Sequence, residues 1–240
     1  MLEGQEKPVH IPANPEKFEF DAEVSEIFDD MAVRSLPGYE EIYSTITDIV
    51  KLSEIPDFSQ VWDIGTSTAR GLLAVKEGAK SPYLDYKGCD VSEAMCEKAK
   101  AKAPWADIYC HDLRTGMPED FSEPSIIIFG WTLQFLDDYA LRAKLLNEAF
   151  TKLKKGGFLF VMEKFRVSGP IGEIMQKRYI EWRRDNGYTL KEIKLKNVAL
   201  KGAMFPWRDI DLIRNVSFSN ASINWINRTF NFGAVAIQKV

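Results

Sequence analysis

From Gln60 to Lys164 the chain repeats one pattern: a short apolar run, a turn, then in most cases a helical stretch. The runs are "QVWDI", "YLDYKGCD", "ADIYCHD", "SIIIFG" and "FLFVMEK". Few folds accept that alternation. It predicts a mostly parallel sheet with helices on both faces. The apolar stretch within "SIIIFG" has no residue suited to face water, as expected of a central strand covered on both sides. The intervening helices are read from Leu72 to Glu77, from "SEAMCEKAKAKA" with Ser92 as N-cap, and from "YALRAKLLNEAFTKLKKGG" with Gly156-Gly157 as its stop.

Elements flank this core. "DAEVSEIFDDMAVRSL" reads as a helix, and a second begins after the Pro37-Gly38 turn. Beyond Lys164, "GPIGEIMQKRYIEWRRDNGY" and "TLKEIKLKNVAL" read as two inserted helices. "SINWINRTFNFGAVAIQKV" reads as two strands around "NR", an antiparallel pair at one sheet edge. No linker interrupts the sequence. Residues 1–19 are expected to be a flexible, Pro-interrupted tail, and residues 20–240 one domain.

Composition narrows the function. The chain has 240 residues, enough for one large α/β domain, and a formal charge of −4. The acidic balance argues against a general nucleic-acid scaffold, and direct nucleic-acid binding is not strongly indicated, a local basic patch aside. No apolar run approaches the roughly 20 residues that cross a bilayer. The first residues lack the apolar core of a signal peptide. The three cysteines, Cys89, Cys96 and Cys110, form no C-x-x-C pair and suit reduced thiols in a cytoplasmic setting. His10 and His111 are the only histidines, and no metal site is expected from them.

The strand ends carry the chemistry. In open α/β sheets, ligands lie beyond the carboxyl ends of the strands, near the switch in strand order. Asp63, Asp90 and Asp112 close the first three runs, and Gly65 follows the first. A carboxylate at Asp90 suits the two hydroxyls of a ribose. Asp112 suits an amino-substituted ring. Gly65-Thr66-Ser67-Thr68-Ala69-Arg70-Gly71 keeps only the first glycine of a dinucleotide fingerprint. A phosphate-free nucleoside therefore fits better, and S-adenosylmethionine is the small-molecule ligand expected. Each acid taken alone also suits a helix cap or a solvated loop. Their ordered recurrence in one βαβ frame favours the ligand.

"DAEVSEIFDDMAVRSLPGY", "DIGTS", "DVSEAM", "TLQFL", "KKGGFLFVMEKF", "RRDNGY" and "FNFG" together resemble carboxy-S-adenosylmethionine synthases, from about Phe20 to Lys239. The resemblance implies the Rossmann-like class I methyltransferase fold. It implies an enzyme that carboxylates the methyl group of S-adenosylmethionine using prephenate. The carboxylated cofactor then serves modification of a tRNA wobble uridine. It also implies a homodimer. By resemblance, Tyr39 contacts the ligand. Gly65, Thr66 and Ser67 form the loop at its amino-acid end. Asp90 and Val91 hold the ribose, and Asp112 and Leu113 the adenine.

Two positions depart from that pattern. Gly130 stands where the family has an asparagine. Asn197 stands, in an ungapped alignment from "NGY", where the family has an arginine that pairs with the new carboxylate. An amide cannot supply that charge. Nearby Lys194 and Lys196 suit either point charges for the same carboxylate or a solvated helix face. Arg34 is a candidate anion contact, and it equally suits an ion pair with Asp29 or Asp30 on its own helix. Ala69 replaces a family glycine. Three readings follow: a carboxy-S-adenosylmethionine synthase-like enzyme, a methyltransferase with another acceptor, or a non-catalytic cofactor-binding subunit.

Overall fold

The computed structural model describes residues 19–240. The expected tail, with His10, lies outside them apart from Glu19. Two helices come first, α1 (Ala22–Ser35) and α2 (Tyr39–Leu52). Then follow β1 (Gln60–Ile64), α3 (Arg70–Gly78), β2 (Asp85–Asp90), α4 (Glu93–Lys102), β3 (Asp107–Cys110) and β4 (Ile126–Gly130). After these come α5 (Tyr139–Lys152), β5 (Phe158–Lys164), α6 (Gly169–Asp185), α7 (Leu190–Leu200), α8 (Asp209–Val216), β6 (Ala221–Thr229) and β7 (Phe232–Lys239). The sheet order is β3-β2-β1-β4-β5-β7-β6. Strands β1 to β5 run parallel, whereas β7 is antiparallel to β5 and to β6. This is the expected parallel sheet with an antiparallel C-terminal pair.

The sheet divides the core into two layers, as strand alternation requires. Ile126 and Ile128 of β4 face the layer under α2 and α3, while Ile127 and Phe129 face the layer under α5 and α8. All four are fully buried, each contributing about 1.5–3 kcal/mol of hydrophobic stabilisation. The helix starts follow capping chemistry. Asp21 Oδ1 accepts from Val24 N at 2.9 Å, and the expected cap Ser92 accepts from Met95 N at 3.2 Å. Thr189 and Glu192 form a reciprocal capping box at α7.

Three expectations need correction. The hairpin turns at Phe230-Asn231 and not at "NR", because a bulge between Trp225 and Asn227 lets β6 run on to Thr229. Helix α5 stops at Lys152, since Lys154 N donates instead to Pro124 O at 2.8 Å. The insertion holds a third helix, α8, whose Leu212 and Val216 pack on the sheet layer beneath α5. Only one turn of apolar spacing marks it, too little for periodicity to show.

Candidate active site

Strands β1 and β4 are neighbours, but their following crossovers lead to opposite sides of the sheet. The topological switch point therefore lies between their carboxyl ends, where a cleft opens. Gly65, Asp90 and Gly130 reach it from the strands. Helices α1, α2, α6 and α7 complete its lining.

The loop after β1 is held by its own acid. Asp63 is 3% exposed and lines the cleft. Its Oδ2 accepts from Thr66 Oγ1 at 3.0 Å, and the amides of Gly71 and Leu72 also bond the carboxyl. Burial pushes its pKa up to about 7 against those bonds. A Cβ on Gly71 would sit 2.6 Å from that same oxygen, so only glycine lets α3 seat on the acid. Gly65 has φ +75°, and a Cβ there would meet Thr132 Oγ1 at 2.2 Å. Thr132 Oγ1 donates to Ile64 O at 2.8 Å and so ties the ends of β1 and β4. Ala69 holds a left-handed φ of +66°. Its fully buried methyl offsets part of the roughly 1 kcal/mol this costs.

Asp90 spans the loop and the next helix. Its Oδ2 accepts from Ser67 N at 3.0 Å and its Oδ1 from Ser92 N at 2.9 Å. Burial raises its pKa, with the backbone bonds opposing. The amide of Val91 also bonds the carboxylate, so three of its lone pairs are used and one is left for a ligand hydroxyl. Val91 beside it is exposed, and Leu113 is buried in the cleft wall. Asp112 also lines the cleft, and Arg114 Nε donates to both its oxygens at 2.9 Å. That pairing lowers its pKa.

An aromatic wall faces the loop. Tyr39 stacks on Trp131 at 5.4 Å and meets Tyr43 edge-on at 5.0 Å. Trp131 has φ +54°, and its buried Nε1 has no partner among the described residues.

Part of the lining is basic. Lys164 from β5, Arg183 from α6 and Lys196 from α7 all line the cleft. None forms an ion pair with a carboxylate among the described residues, and Arg183 Nε is buried without any partner. Lys196 Nζ donates to Ser35 Oγ at 2.9 Å. Burial first, then Arg183, Arg34 and Lys164, pushes its pKa down to about 7. Burial and Arg183 push Lys164 down to about 8. Three basic side chains without a carboxylate in one cleft, Arg183 and Lys196 buried and Lys164 half-buried, suit an anion.

Sequence reasoning placed Lys196 between two readings, and the structure decides against the solvated face for it. Lys196 is 7% exposed and faces the cleft, whereas Lys194 and Asn197 are exposed on α7. Asn197 lies outside the cleft wall, and its Oδ1 sits 3.4 Å from Arg183 Nη1. Arg34 also lies outside the wall. Its Nε donates to Asp30 at 2.7 Å, and its guanidinium stacks over Tyr188 at 5.0 Å. Tyr39, Gly65, Thr66, Ser67, Asp90, Val91, Asp112, Leu113 and Gly130 all line the cleft. Lys164 and Arg183 went unnoticed in the sequence, although they stand in the quoted segments "VMEKF" and "RRDNGY".

Comparison with known proteins agrees with this architecture. A family profile described as a methyltransferase domain matches residues 62–161. The carboxy-S-adenosyl-L-methionine synthase of Helicobacter hepaticus is 34% identical, over 93% of this chain and 95% of its own. That of Actinobacillus succinogenes is 33% identical, over 92% and 93%. Among solved structures, an S-adenosylmethionine-bound amino pentose methyltransferase from Micromonospora echinaspora superposes with a TM-score of 0.60. It is 10% identical, over 89% of this chain and 97% of that one. A putative S-adenosylmethionine-dependent methyltransferase from Methanococcus maripaludis gives 0.57 at 18% identity, over 96% and 98%. With the relatives matched along nearly their whole length, the chain belongs to the carboxy-S-adenosyl-L-methionine synthase family, S-adenosylmethionine-dependent transferases built on the class I methyltransferase fold.

Proposed function

We propose that this enzyme forms carboxy-S-adenosylmethionine, with prephenate as the carboxylate source and tRNA wobble-uridine modification as the use of the product. One observation carries the reading: the wall of Lys164, Arg183 and Lys196, three cations without a carboxylate partner among the described residues. A plain methyl transfer needs its acceptor held in line with the sulfonium and no cluster of buried positive charge. A reaction with a carboxylate-bearing donor and a carboxylated product needs such a cluster. The cations therefore favour this reading over methyl transfer to another acceptor, despite Asn197.

When bound, S-adenosylmethionine supplies a methyl group activated by the adjacent sulfonium. The chain's residues fit it. Asp90 accepts from a ribose hydroxyl with the lone pair that Ser67, Val91 and Ser92 leave free. Val91 and Leu113 give the adenine apolar faces, and Asp112 accepts from its amino group. The Gly65–Ser67 loop lies beneath the amino-acid end. Lys164, Arg183 and Lys196 bind the carboxylate of the donor and keep that of the product. Helices α1, α2, α6 and α7 exclude water from that end of the cleft.

Mass spectrometry of the nucleoside that co-purifies with the protein tests the reading. The carboxylated cofactor is expected. Unmodified S-adenosylmethionine or its demethylated product alone, with no turnover of added prephenate, would favour the methyltransferase. Protein that arrives empty and binds no added cofactor would favour the non-catalytic subunit.

A further inference from the structure

Tyr43 of α2 is 5% exposed, and its ring is fixed on two sides. Trp131 meets it edge-on at 6.1 Å, and the Arg70 guanidinium lies over it at 4.8 Å. Its hydroxyl points into the cleft beside Gly130. Among the described residues that hydroxyl has no hydrogen-bond partner. The oxygen faces the cleft and is not among the buried unpartnered atoms, so it is free to donate to a ligand oxygen arriving there.

Gly130 explains why the hydroxyl reaches the cleft. Its φ is not in the left-handed region, so its backbone does not demand glycine. A Cβ there would lie 3.1 Å from the Tyr43 hydroxyl, closer than ordinary packing allows. A side chain at position 130 would have to push the phenol back by a few tenths of an ångström. The two residues share one volume at the end of β4, next to Thr132 and the Gly65 loop. On the nucleoside reading of the cleft, the amino-acid end of the ligand crosses the switch point there.

We propose that Tyr43 is a specificity residue whose hydroxyl donates to the carboxylate of the cofactor's amino-acid end, in a space that Gly130 leaves open. The assignment rests on the nucleoside reading of the cleft. Burial drives the Tyr43 pKa well above its ordinary value, so the phenol is a neutral donor throughout the working pH range. Adenine and ribose contacts, at Asp112 and Asp90, are independent of it.

The test compares two probes by calorimetry: S-adenosylmethionine, and methylthioadenosine, which lacks the amino-acid end. Tyr43→Phe should weaken S-adenosylmethionine binding about tenfold, the scale of one hydrogen bond to a charged group. It should leave methylthioadenosine affinity and the unliganded melting temperature unchanged. Adding Gly130→Asn to Tyr43→Phe returns a hydrogen-bonding group to the freed space and should recover at least half the loss on a logarithmic scale. Equal losses for both probes, no loss for either, or no recovery in the double variant would overturn the proposal. Unmodified protein that binds neither probe would overturn the nucleoside reading itself, and this assignment with it.

Discussion

Replacing Lys196 with methionine should stabilise the protein and impair it at the same time. Lys196 is buried without a carboxylate, and its pKa falls from an ordinary 10.5 to about 7. The sign follows from proton counting. Between those two values the unfolded chain holds the proton and the folded one does not, so this residue makes stability rise with pH from about 7 to 10.5. Below pH 7 the folded protein carries a charge penalty of a few kcal/mol, at most about 5. From pH 6 to pH 9 roughly 2–3 kcal/mol of it is relieved. Methionine fills a similar volume and gives up only the bond to Ser35, worth about 1 kcal/mol. The variant is therefore expected to be more stable at pH 6, with its advantage shrinking by about 2–3 kcal/mol at pH 9. The comparison must be made as a difference between the two proteins. Asp63 and Glu163, pushed up to about 7 and 8 by burial, change stability in the opposite direction as pH rises. Urea unfolding followed by tryptophan fluorescence measures both quantities. Binding of a carboxylated cofactor should meanwhile weaken by about 1.5–3 kcal/mol. A variant less stable at pH 6, or a stability difference that ignores pH, would refute the claim that Lys196 is an unpaired buried cation.

Asp90→Ala removes the proposed ribose acceptor and the clasp on Ser67, and should cost S-adenosylmethionine binding about 1–3 kcal/mol by calorimetry. Gly65→Ala forces a methyl onto Thr132 in a left-handed backbone, and thermal unfolding should show a loss of about 2–4 kcal/mol. Asn197→Arg removes the oxygen that Arg183 Nη1 donates to and sets a like charge beside it, from a position outside the cleft, so retention of carboxy-S-adenosylmethionine should not improve in competition binding. A marked gain there would mean that the side chain reaches the ligand from outside.

The residues around the sheet were readable because strand ends are local. A strand fixes where its last side chain points, so Asp63, Asp90 and Gly130 fell into the cleft once the strands were right. Their tasks were less legible. Asp63 is spent on Thr66 and the start of α3, which depends on Gly71 arriving within van der Waals range. The cationic wall was largely invisible, because Lys164, Arg183 and Lys196 come from three elements and meet only after folding. Lys196 and Asn197 show the limit of reading by alignment. They are adjacent in the chain, yet one helical step of about 100° sends the first into the cleft and the second to solvent. The β6–β7 turn was misplaced because a bulge shifts register with no compositional mark.

Ser35 binds Lys196 Nζ and the Tyr188 hydroxyl through its side chain, and accepts from Tyr179 Oη through its carbonyl. One small residue thus fastens the N-terminal helices to the inserted ones, at the spot where charge is sensed. A change at Ser35 would therefore reach three partners at once: the lysine in the cleft wall, the phenol of Tyr188 and the phenol of Tyr179.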